Sequence, residues 1–273
     1  MTDNGFSKIA RTLAKVQTTE LKCDRHGILL LQYEEQTPFC MACTKERIAE
    51  ENDAMRNRAI QEEERRREMK KDPKEFFKRN SMISDQTLLQ AEFDNYQASS
   101  QQEHRALEAA VGICERIREG QIFNALFTGP AGSGKSHLAM AIAKNTIAPN
   151  CRVLYAASDE LMRKIRDTFN NKDSGESEES YIDRLASAEV LVLDDLGAET
   201  GGIGTNRRAS DFTQNVLYSL MNRRQGKVTI ITTNLSPEEI VQIYDSRLAS
   251  RLLRGMKGNA VTFAGITDKR IFL

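Results

Sequence analysis

The sequence predicts an α/β protein in which a three-layer core, a parallel sheet between helices, follows a small N-terminal domain and a helical connector. The core is indicated by a glycine-rich loop at 129–136, which separates an apolar run from an alanine-rich helix. A second apolar run ends in the carboxylates Asp194 and Asp195. Short apolar runs that alternate with helical patterns are typical of parallel strands joined by crossover helices. The N-terminal domain is indicated by a cysteine and histidine cluster within 23–43.

Length and composition exclude several classes of protein. The 273 residues are enough for one domain of ordinary size and a smaller one. With 39 basic and 39 acidic side chains, the net charge favours no particular partner. No apolar run is long enough for a membrane helix, and the N-terminus has no apolar signal-peptide segment. The five cysteines do not form a spread disulfide framework, so we expect a cytoplasmic protein without membrane contacts.

The region 1–44 predicts a zinc-binding domain. It contains the pattern C-x2-H-x13-C-x2-C, formed by Cys23, His26, Cys40 and Cys43. Four nitrogen and sulfur ligands in two close pairs suit tetrahedral Zn²⁺ without an open position, so the site would be structural. Bound zinc can supply about 10 kcal/mol of folding free energy, more than the apolar run at 28–33, a candidate hairpin strand, could provide. Free thiols beside an incidental histidine are the alternative interpretation.

The segment 45–80 consists almost entirely of charged residues and good helix formers, and it contains no glycine. This composition predicts an exposed helix that ends near Asp72 and Pro73. The helix would connect the zinc-binding domain to a nucleotide-binding domain at 81–273. It could be a rigid arm or a solvated, partly frayed linker, and the sequence leaves both open.

The glycine-rich loop matches the phosphate-binding pattern G-x-x-x-x-G-K-[ST]. Its glycines let the backbone approach phosphate oxygens, and its amides form an anion site at a helix N-terminus. Lys135 would reach the β- and γ-phosphates of ATP, and the Ser136 hydroxyl would hold Mg²⁺. The predicted nucleotide-binding residues are Gly129, Pro130, Ala131, Gly132, Ser133, Gly134, Lys135, Ser136, His137 and Asp194. The alternative is a glycine-rich turn between a core strand and a core helix.

Two further apolar runs complete the predicted site. The run 190–193 would deliver Asp194 to the coordination shell of Mg²⁺. Asp195 is then the candidate base that polarises the attacking water. The run 228–233 predicts another buried strand, and Asn234 after it could contact the γ-phosphate or the water. Alternatively, Asn234 could cap the helix that follows.

The C-terminal stretch is rich in basic residues: Arg247, Arg251, Arg254, Lys257, Lys269 and Arg270. An arginine that reaches the γ-phosphate of a neighbouring subunit would stabilise transition-state charge and couple hydrolysis to assembly. Spacing alone does not select one of these arginines, and most of them could simply be solvated.

Five motifs, FDNY, GPAGSGKSHLAMAIA, LVLDDLGAE, ITTNL and SRLASRL, resemble those of the bacterial replicative helicase loaders of the DnaC/DnaI type. These are AAA+ ATPases similar to the initiator DnaA and the transposition helper IstB. The resemblance covers about 82–270, and the zinc pattern with its connector resembles the DnaI-type N-terminal domain that binds the helicase. It implies an AAA+ P-loop fold and an ATPase that delivers the hexameric replicative DNA helicase to single-stranded DNA during replication initiation. It also implies ATP-dependent self-assembly.

The resemblance assigns further roles to residues of this chain. Asn234 would be sensor I, Arg251 the arginine finger with Arg247 as the alternative, and Arg270 sensor II. Many AAA+ proteins have Asp-Glu where this chain has Asp-Asp, and the shorter Asp195 would hold the water less closely. This difference fits weak, switch-like hydrolysis. Only 39 residues follow Asn234, so the usual helical lid would be short or missing.

The region 158–187 lies where such proteins carry a helical insertion that faces a central channel. Arg163, Lys164 and Arg166 are therefore candidates for single-stranded DNA contacts, although a solvated helix face is an equal alternative. Two competing functions also stay open. One is a transposition-helper ATPase of the IstB type, which binds duplex DNA, and the other is a nucleotide-gated adaptor that hydrolyses little ATP. The metal module favours the loader, because the helper family typically lacks it.

Overall fold

The computed structural model describes residues 15–170, 175–200 and 208–269, without the side chains of residues 59, 62, 63, 65–71 and 170. The chain divides into two compact units, Met1–Arg67 and Glu68–Leu273, and each is described by itself. Within the described ranges, no helix is both long and apolar enough to cross a membrane.

The first unit is built on a β-hairpin. Strand β1, Val16–Lys22, pairs antiparallel with β2, Leu29–Tyr33. β2 confirms the strand predicted at 28–33, whereas β1 has too few apolar residues to be predicted from the sequence. Neither strand contains a buried residue, and among the described side chains of 15–67 only Cys40 is buried. The described part of this unit therefore has almost no apolar core.

A long helix, α1, Met41–Lys71, follows the hairpin and continues beyond the first unit. The next helix, α2, Pro73–Asn80, begins directly after it. The Asp72 carboxylate caps α2, because it accepts hydrogen bonds from two first-turn amides at 2.9 and 3.3 Å. Pro73 has no amide hydrogen with which to continue α1 but fits the first turn of α2. The predicted end of the connector helix is confirmed.

The second unit contains a five-stranded sheet: β3 (Asn124–Thr128), β4 (Val153–Ala157), β5 (Val190–Leu196), β6 (Val228–Thr233) and β7 (Ala260–Thr262). The strands are all parallel, in the order β4-β5-β6-β3-β7, as predicted for the core. β7 is not predicted by the sequence, because three residues are too short to show a period. It turns part of the basic C-terminal stretch into an edge of the sheet.

The helices of the second unit after α2 are α3 (Gln101–Arg118), α4 (Lys135–Thr146), α5 (Ser158–Asn170), α6 (Glu178–Ser187), α7 (Asp211–Arg223), α8 (Pro237–Ile243) and α9 (Ser246–Leu252). Side chains alternate along each strand, so Leu154 faces one apolar cluster and Tyr155 the other. Helices α5 to α9 contribute to the first cluster, and α3 and α4 to the second. The predicted three-layer architecture is confirmed.

The direction in which the chain winds across the sheet reverses between β3 and β6. The connection after β3 runs to β4 at one edge, and the connection after β6 runs to β7 at the other. The helix after β3 covers one face, and the helices after β6 cover the other. In open α/β sheets, ligands bind at the carboxyl ends of the strands where the winding direction reverses. The phosphate-loop pattern follows β3 and Asn234 follows β6, so both lie at this point.

The start of α8 settles one alternative left open by the sequence. Ser236 accepts a hydrogen bond from the amide of Glu239 at 3.2 Å, and the Glu239 carboxylate accepts one from the amide of Ser236 at 2.7 Å. This capping box occupies the position that Asn234 would otherwise fill. Asn234 is therefore not the helix cap.

A buried arginine stabilises the second unit. Arg224, which follows α7, is 3% exposed. Its guanidinium donates hydrogen bonds to Thr229 Oγ1 at 3.0 Å, to the carbonyls of Leu185 and Ala188, each at 2.9 Å, and to the carbonyl of Val228. Burial lowers its pKa to about 9. These bonds connect α6 and the end of α7 to the start of β6.

Candidate nucleotide and zinc sites

The phosphate-binding loop joins β3 to α4. Gly129 and Gly132 have φ angles of +150° and +69°, which side chains disfavour. A Cβ on Gly129 would lie 2.7 Å from Phe263 Cβ, and a Cβ on Gly132 would lie 1.7 Å from the Asp268 carboxylate. Both positions therefore require glycine. The loop leads into the first turn of α4, which has no side-chain cap, and amides at such a helix N-terminus can bind an anion.

Lys135 connects the loop to the neighbouring strand. It is 6% exposed, and its ammonium donates hydrogen bonds to the carbonyls of Gly129 at 2.8 Å and Pro130 at 2.7 Å. It also donates to Asn234 Oδ1 at 2.8 Å, and Asn234 Nδ2 lies 3.3 Å from Asp195 Oδ1. Three residues predicted separately as phosphate binder, sensor and base thus form one continuous polar network.

The two carboxylates at the end of β5 have different surroundings. Asp194 is 6% exposed and accepts a hydrogen bond from Thr232 Oγ1 at 2.5 Å. Asp195 is only half-buried, and its pKa is raised first by burial and then by the negative charge of Asp194. The Asp194 oxygens are thus suited to hold a cation, while Asp195 faces the polar network at the strand ends.

Tyr155 on β4 is a site residue that sequence reasoning missed. Its side chain is completely buried, and its hydroxyl has no hydrogen-bond partner among the described residues. Asp194 and Ser136 are close enough to influence its pKa, which burial and then the Asp194 charge raise well above the ordinary value. The place of Tyr155 beside both predicted Mg²⁺ ligands fits a hydrated Mg²⁺ ion.

Tyr96, in the FDNY motif, borders the phosphate loop. A Cβ on Gly134 would lie 2.7 Å from Tyr96 Cε2. The His137 ring is 5.5 Å from the Tyr96 ring, and its Nε2 lies 2.9 Å from the Glu92 carbonyl oxygen. Burial lowers the pKa of His137. The structure thus places His137 against the segment that carries the motif.

The chain after β7 also reaches the loop. The Lys269 amide donates to the Gly132 carbonyl at 3.1 Å. The Lys269 ammonium lies 4.1 Å from the centre of the Tyr96 ring and 2.8 Å from the carboxylate of Glu103. The loop is therefore enclosed between the FDNY segment and the end of the described chain. Arg270, predicted as sensor II, lies outside the described residues.

The predicted arginine finger is not in the polar network. Arg251 and Arg247 lie on α9, with their guanidinium carbons 4.2 and 5.5 Å from the centre of the Tyr218 ring. Arg251 donates to the Arg247 carbonyl at 3.2 Å and approaches Asn222 Oδ1 at 3.4 Å. Both arginines thus contact α7. This placement is compatible with a role towards a neighbouring subunit.

The candidates for DNA contacts have partners within their own unit. Arg163 pairs with Glu160 at 2.6 Å and with Asp167 at 3.0 Å, and Lys164 lies 3.6 Å from Glu160. The guanidinium of Arg166 lies over the Phe212 ring. The positive charges of Arg163 and Lys164 are largely balanced by acids of α5, as expected for a solvated helix face.

The four predicted zinc ligands come together in the first unit. One ligand atom from each of Cys23, His26, Cys40 and Cys43 lies within 4.8 Å of every other. His26 Nδ1 is 3.3 Å from the Cys43 sulfur and 3.7 Å from those of Cys23 and Cys40. A tetrahedron of Zn–S bonds of about 2.3 Å has edges of about 3.8 Å. The donor set therefore fits Zn²⁺ in both chemistry and size.

Glu46 on α1 supports this cluster and was missed by sequence reasoning. Its carboxylate lies 3.1 Å from His26 Nε2, which fixes the ring with Nδ1 towards the sulfurs. Hydrogen bonds from His26 lower the pKa of Cys23 to about 6, whereas burial raises the pKa of Cys43 to about 11. A carboxylate three residues after the last cysteine of the C-x2-H-x13-C-x2-C pattern is ordinary in a charged helix, so only its position in the structure identifies it.

Comparison with known proteins identifies relatives of the second unit. The family model of the IstB-like ATP binding protein matches residues 43–260. The replicative helicase loader DnaC of Escherichia coli K12 is 29% identical over 165 residues, which cover 60% of this chain and 63% of DnaC. This chain therefore spans less than two thirds of the curated relatives it matches.

Two solved structures show the same fold. The crystal structure of the DnaC helicase loader matches with a TM-score of 0.54 and 21% identity, over 65% of this chain and 99% of that one. The crystal structure of DnaI matches with a TM-score of 0.54 and 20% identity, over 67% of this chain and 95% of that one. At these identities the likeness concerns the fold alone, and it supports the parallel-sheet architecture of the second unit.

Proposed function

The chain belongs to the family of IstB-like ATP binding proteins, and on this premise we propose that it is an ATP-dependent loader for a hexameric replicative DNA helicase. The loader binds the helicase and delivers it to single-stranded DNA during replication initiation. The similarity to DnaC supports the loader role. The observation that carries the ATP-dependent part is the network of Lys135, Asn234 and Asp195 at the strand ends.

The residues of the network divide the work of ATP hydrolysis. ATP would replace the contacts of Lys135 with its own loop, so that the ammonium binds the β- and γ-phosphates. Ser136 and Asp194 would hold Mg²⁺, which when bound neutralises charge on the phosphate oxygens. Asp195 would orient the attacking water and accept its proton, and Asn234 would report on the γ-phosphate. The short Asp195 side chain fits slow, switch-like turnover.

Two further roles belong to the proposal. The zinc-binding domain at 1–44, joined by the linker at 45–80 to the ATPase domain at 81–273, provides the helicase-binding surface. Arg251 reaches the γ-phosphate in a neighbouring subunit, so that hydrolysis depends on self-assembly. Arg247 is the alternative finger. A positive charge supplied by another subunit is consistent with the position of both side chains against α7.

The proposal is tested by co-purification with a candidate replicative helicase, with and without ATP and magnesium. We expect capture of the helicase to require an intact Cys40, and ATP-dependent transfer of the helicase to single-stranded DNA to require Lys135. The matched control is Lys257→Ala, a substitution of an exposed lysine outside the loop. Capture that survives removal of residues 1–44 contradicts the assignment of the helicase surface.

The same variants and binding experiments distinguish two other functions. The IstB-like family match keeps a transposition-helper ATPase as a candidate, and that function predicts binding to duplex DNA and a transposase instead of a helicase. A nucleotide-gated adaptor predicts that Asp195→Asn leaves loading intact while Lys135→Ala abolishes it. A loader driven by hydrolysis fails to transfer the helicase to DNA in both variants.

A further inference from the structure

Glu199 lies in a short turn after β5 and joins three parts of the second unit. Its Oε2 accepts hydrogen bonds from the Ser158 hydroxyl at 2.7 Å and from the Gly197 amide at 2.9 Å. Its Oε1 accepts a hydrogen bond from the Tyr244 hydroxyl. One carboxylate thus contacts the first residue of α5, the turn after the two site carboxylates, and the residue that follows α8.

The same turn holds Asp195 in an unusual backbone conformation. Its φ is +52°, a left-handed value that a non-glycine residue adopts only when its surroundings enforce it. The Asp195 amide donates to Thr232 Oγ1 at 2.9 Å, and the Asp195 carbonyl accepts from the Ser158 hydroxyl at 2.8 Å. The backbone of the candidate base is therefore fixed on both sides by buried hydroxyl groups.

Ser158 has one hydroxyl proton and two acceptors within hydrogen-bond distance. These are the Asp195 carbonyl at 2.8 Å and Glu199 Oε2 at 2.7 Å. A hydroxyl donates one full hydrogen bond at a time. The position of the Glu199 carboxylate therefore determines the strength of the hydrogen bond from Ser158 to the Asp195 carbonyl. A small movement of Glu199 changes this strength.

The other end of the connection leads to the arginine helix. Tyr244 is 3% exposed, and its amide donates to the Ile240 carbonyl at the end of α8. The next residue, Asp245, caps α9, because its carboxylate accepts from the amides of Arg247 and Leu248, each at 2.8 Å. A movement of α9 therefore acts directly on the Tyr244 backbone.

We propose that Glu199 is a positioning residue for ATP hydrolysis, which links the orientation of Asp195 to the placement of the helix that carries Arg247 and Arg251. The link runs through Ser158 on one side and Tyr244 on the other. When α9 engages a neighbouring subunit, Tyr244 and Glu199 transmit the change to the chain's own base. The inference rests on the proposed ATPase function, and it adds a connection between two sites of one chain.

The first test is Tyr244→Phe, which removes one hydroxyl and leaves the buried ring in place. We expect the turnover number to fall about tenfold, as for a misplaced catalytic group, while the dissociation constant for ATP stays within about twofold. Tyr181→Phe is the matched control, because it removes the hydroxyl of a tyrosine that packs on the same apolar cluster but lies outside the link. Equal turnover in wild type and Tyr244→Phe overturns the inference.

The second test separates positioning from general support of the fold. In hydrogen–deuterium exchange without nucleotide, Tyr244→Phe and Glu199→Gln should speed exchange of the amides at 195–197, and Tyr181→Phe should not. Unchanged exchange there overturns the link. This readout does not require hydrolysis, so it distinguishes a failed link from a failed ATPase assignment, in which wild type binds no ATP at all.

The third test asks whether the link reaches the arginine helix. Adding Tyr244→Phe to Arg251→Ala should reduce turnover less than adding it to wild type. Without Arg251, α9 no longer contacts the neighbouring subunit, so no change at α9 is passed on to Asp195. The same non-additivity is expected for Glu199→Gln. Fully additive losses in both double variants overturn the proposed connection between α9 and Asp195.

Discussion

The two units of this chain reach a folded state by different means. Among the described side chains of 15–67, Cys40 alone is buried, and it is one of the four predicted zinc ligands. The second unit instead has an apolar cluster on each face of its sheet. The comparison teaches that apolar burial can stabilise the second unit, whereas the described part of the first unit has little apolar burial and a donor set that fits Zn²⁺.

This difference also separates the ligands that stabilise each unit. A ligand that binds only the folded state stabilises the domain that contains its site. Zinc should therefore act on the first unit, and ATP with magnesium on the second. We make four predictions from this difference. Each is contradicted if a substitution changes the stability or ligand binding of the unit that does not contain it.

The largest effect is expected from loss of the metal. Cys40→Ser removes one of four ligands, so the first unit should lose most of a binding free energy of about 10 kcal/mol and unfold. Metal analysis should show less than one zinc per chain, and limited proteolysis should cut within 15–67. Cys151→Ser, which changes a half-buried thiol of the second unit, should keep its zinc. An intact first unit without metal would contradict the comparison.

The next effect concerns nucleotide binding. Lys135→Ala removes the ammonium that the loop and Asn234 surround, so the affinity for ATP should fall about 100-fold, which corresponds to roughly 2.7 kcal/mol. Isothermal titration measures the loss, and Lys257→Ala should bind ATP as wild type does. ATP should raise the melting temperature of the second unit in wild type and in Lys257→Ala, but not in Lys135→Ala. A shift in the zinc content of either variant would show that the units are not independent.

A third prediction concerns the buried arginine of the second unit. Arg224→Met keeps the bulk of the side chain but leaves three buried carbonyls without their donor. The free energy of unfolding of the second unit should fall by about 3 kcal/mol. Chemical denaturation measures this change, and Arg254→Met at an exposed position should be nearly neutral. Retained zinc binding would confirm that the loss is confined to the second unit.

The smallest effect depends on pH. Burial opposes ionisation of Glu103, but Lys269 and the hydrogen bonds from Ser99 and Ser100 outweigh it and hold its pKa at about 2. Because this pKa is lower than in the unfolded chain, the stabilisation is present above about pH 4.5 and is lost as the pH falls towards 2.

Glu103→Gln should therefore destabilise the second unit by about 1–2 kcal/mol at pH 7, and the difference from wild type should shrink below about pH 4.5. Denaturation curves at pH 7, 4.5 and 3.5 measure it. Glu108→Gln, at an exposed position of the same helix, should show no such trend. A difference that grows on acidification would contradict the assigned ion pair.

The sequence predicts those parts of the molecule whose evidence is local. The phosphate loop, the carboxylates after β5 and the cysteine and histidine pairs are short patterns whose residue types are required by their chemistry. The strand β7 could not be predicted, because its three residues have no period and its place depends on pairing with β3. Only one strand of the hairpin was predicted, because β2 is rich in apolar residues and β1 is not.

The residues that sequence reasoning missed act over long separations along the chain. Glu199 contacts Ser158 and Tyr244, and Tyr155 lies beside carboxylates from another strand. Tyrosine and glutamate at such positions resemble any core aromatic or surface acid until the fold brings them together. Conversely, the place of Arg163 in the region 158–187 made it a candidate for DNA contacts, and the structure shows acids of the same helix around it, as the alternative of a solvated helix face predicts.

The position of β3 between β6 and β7 has a consequence for synthesis on the ribosome. Leu126 pairs with Ile231 on one side and with Ala260 on the other, and both partners are translated long after it. Until they emerge, the strand that precedes the phosphate loop exposes two unpaired edges, which favour association with other nascent chains.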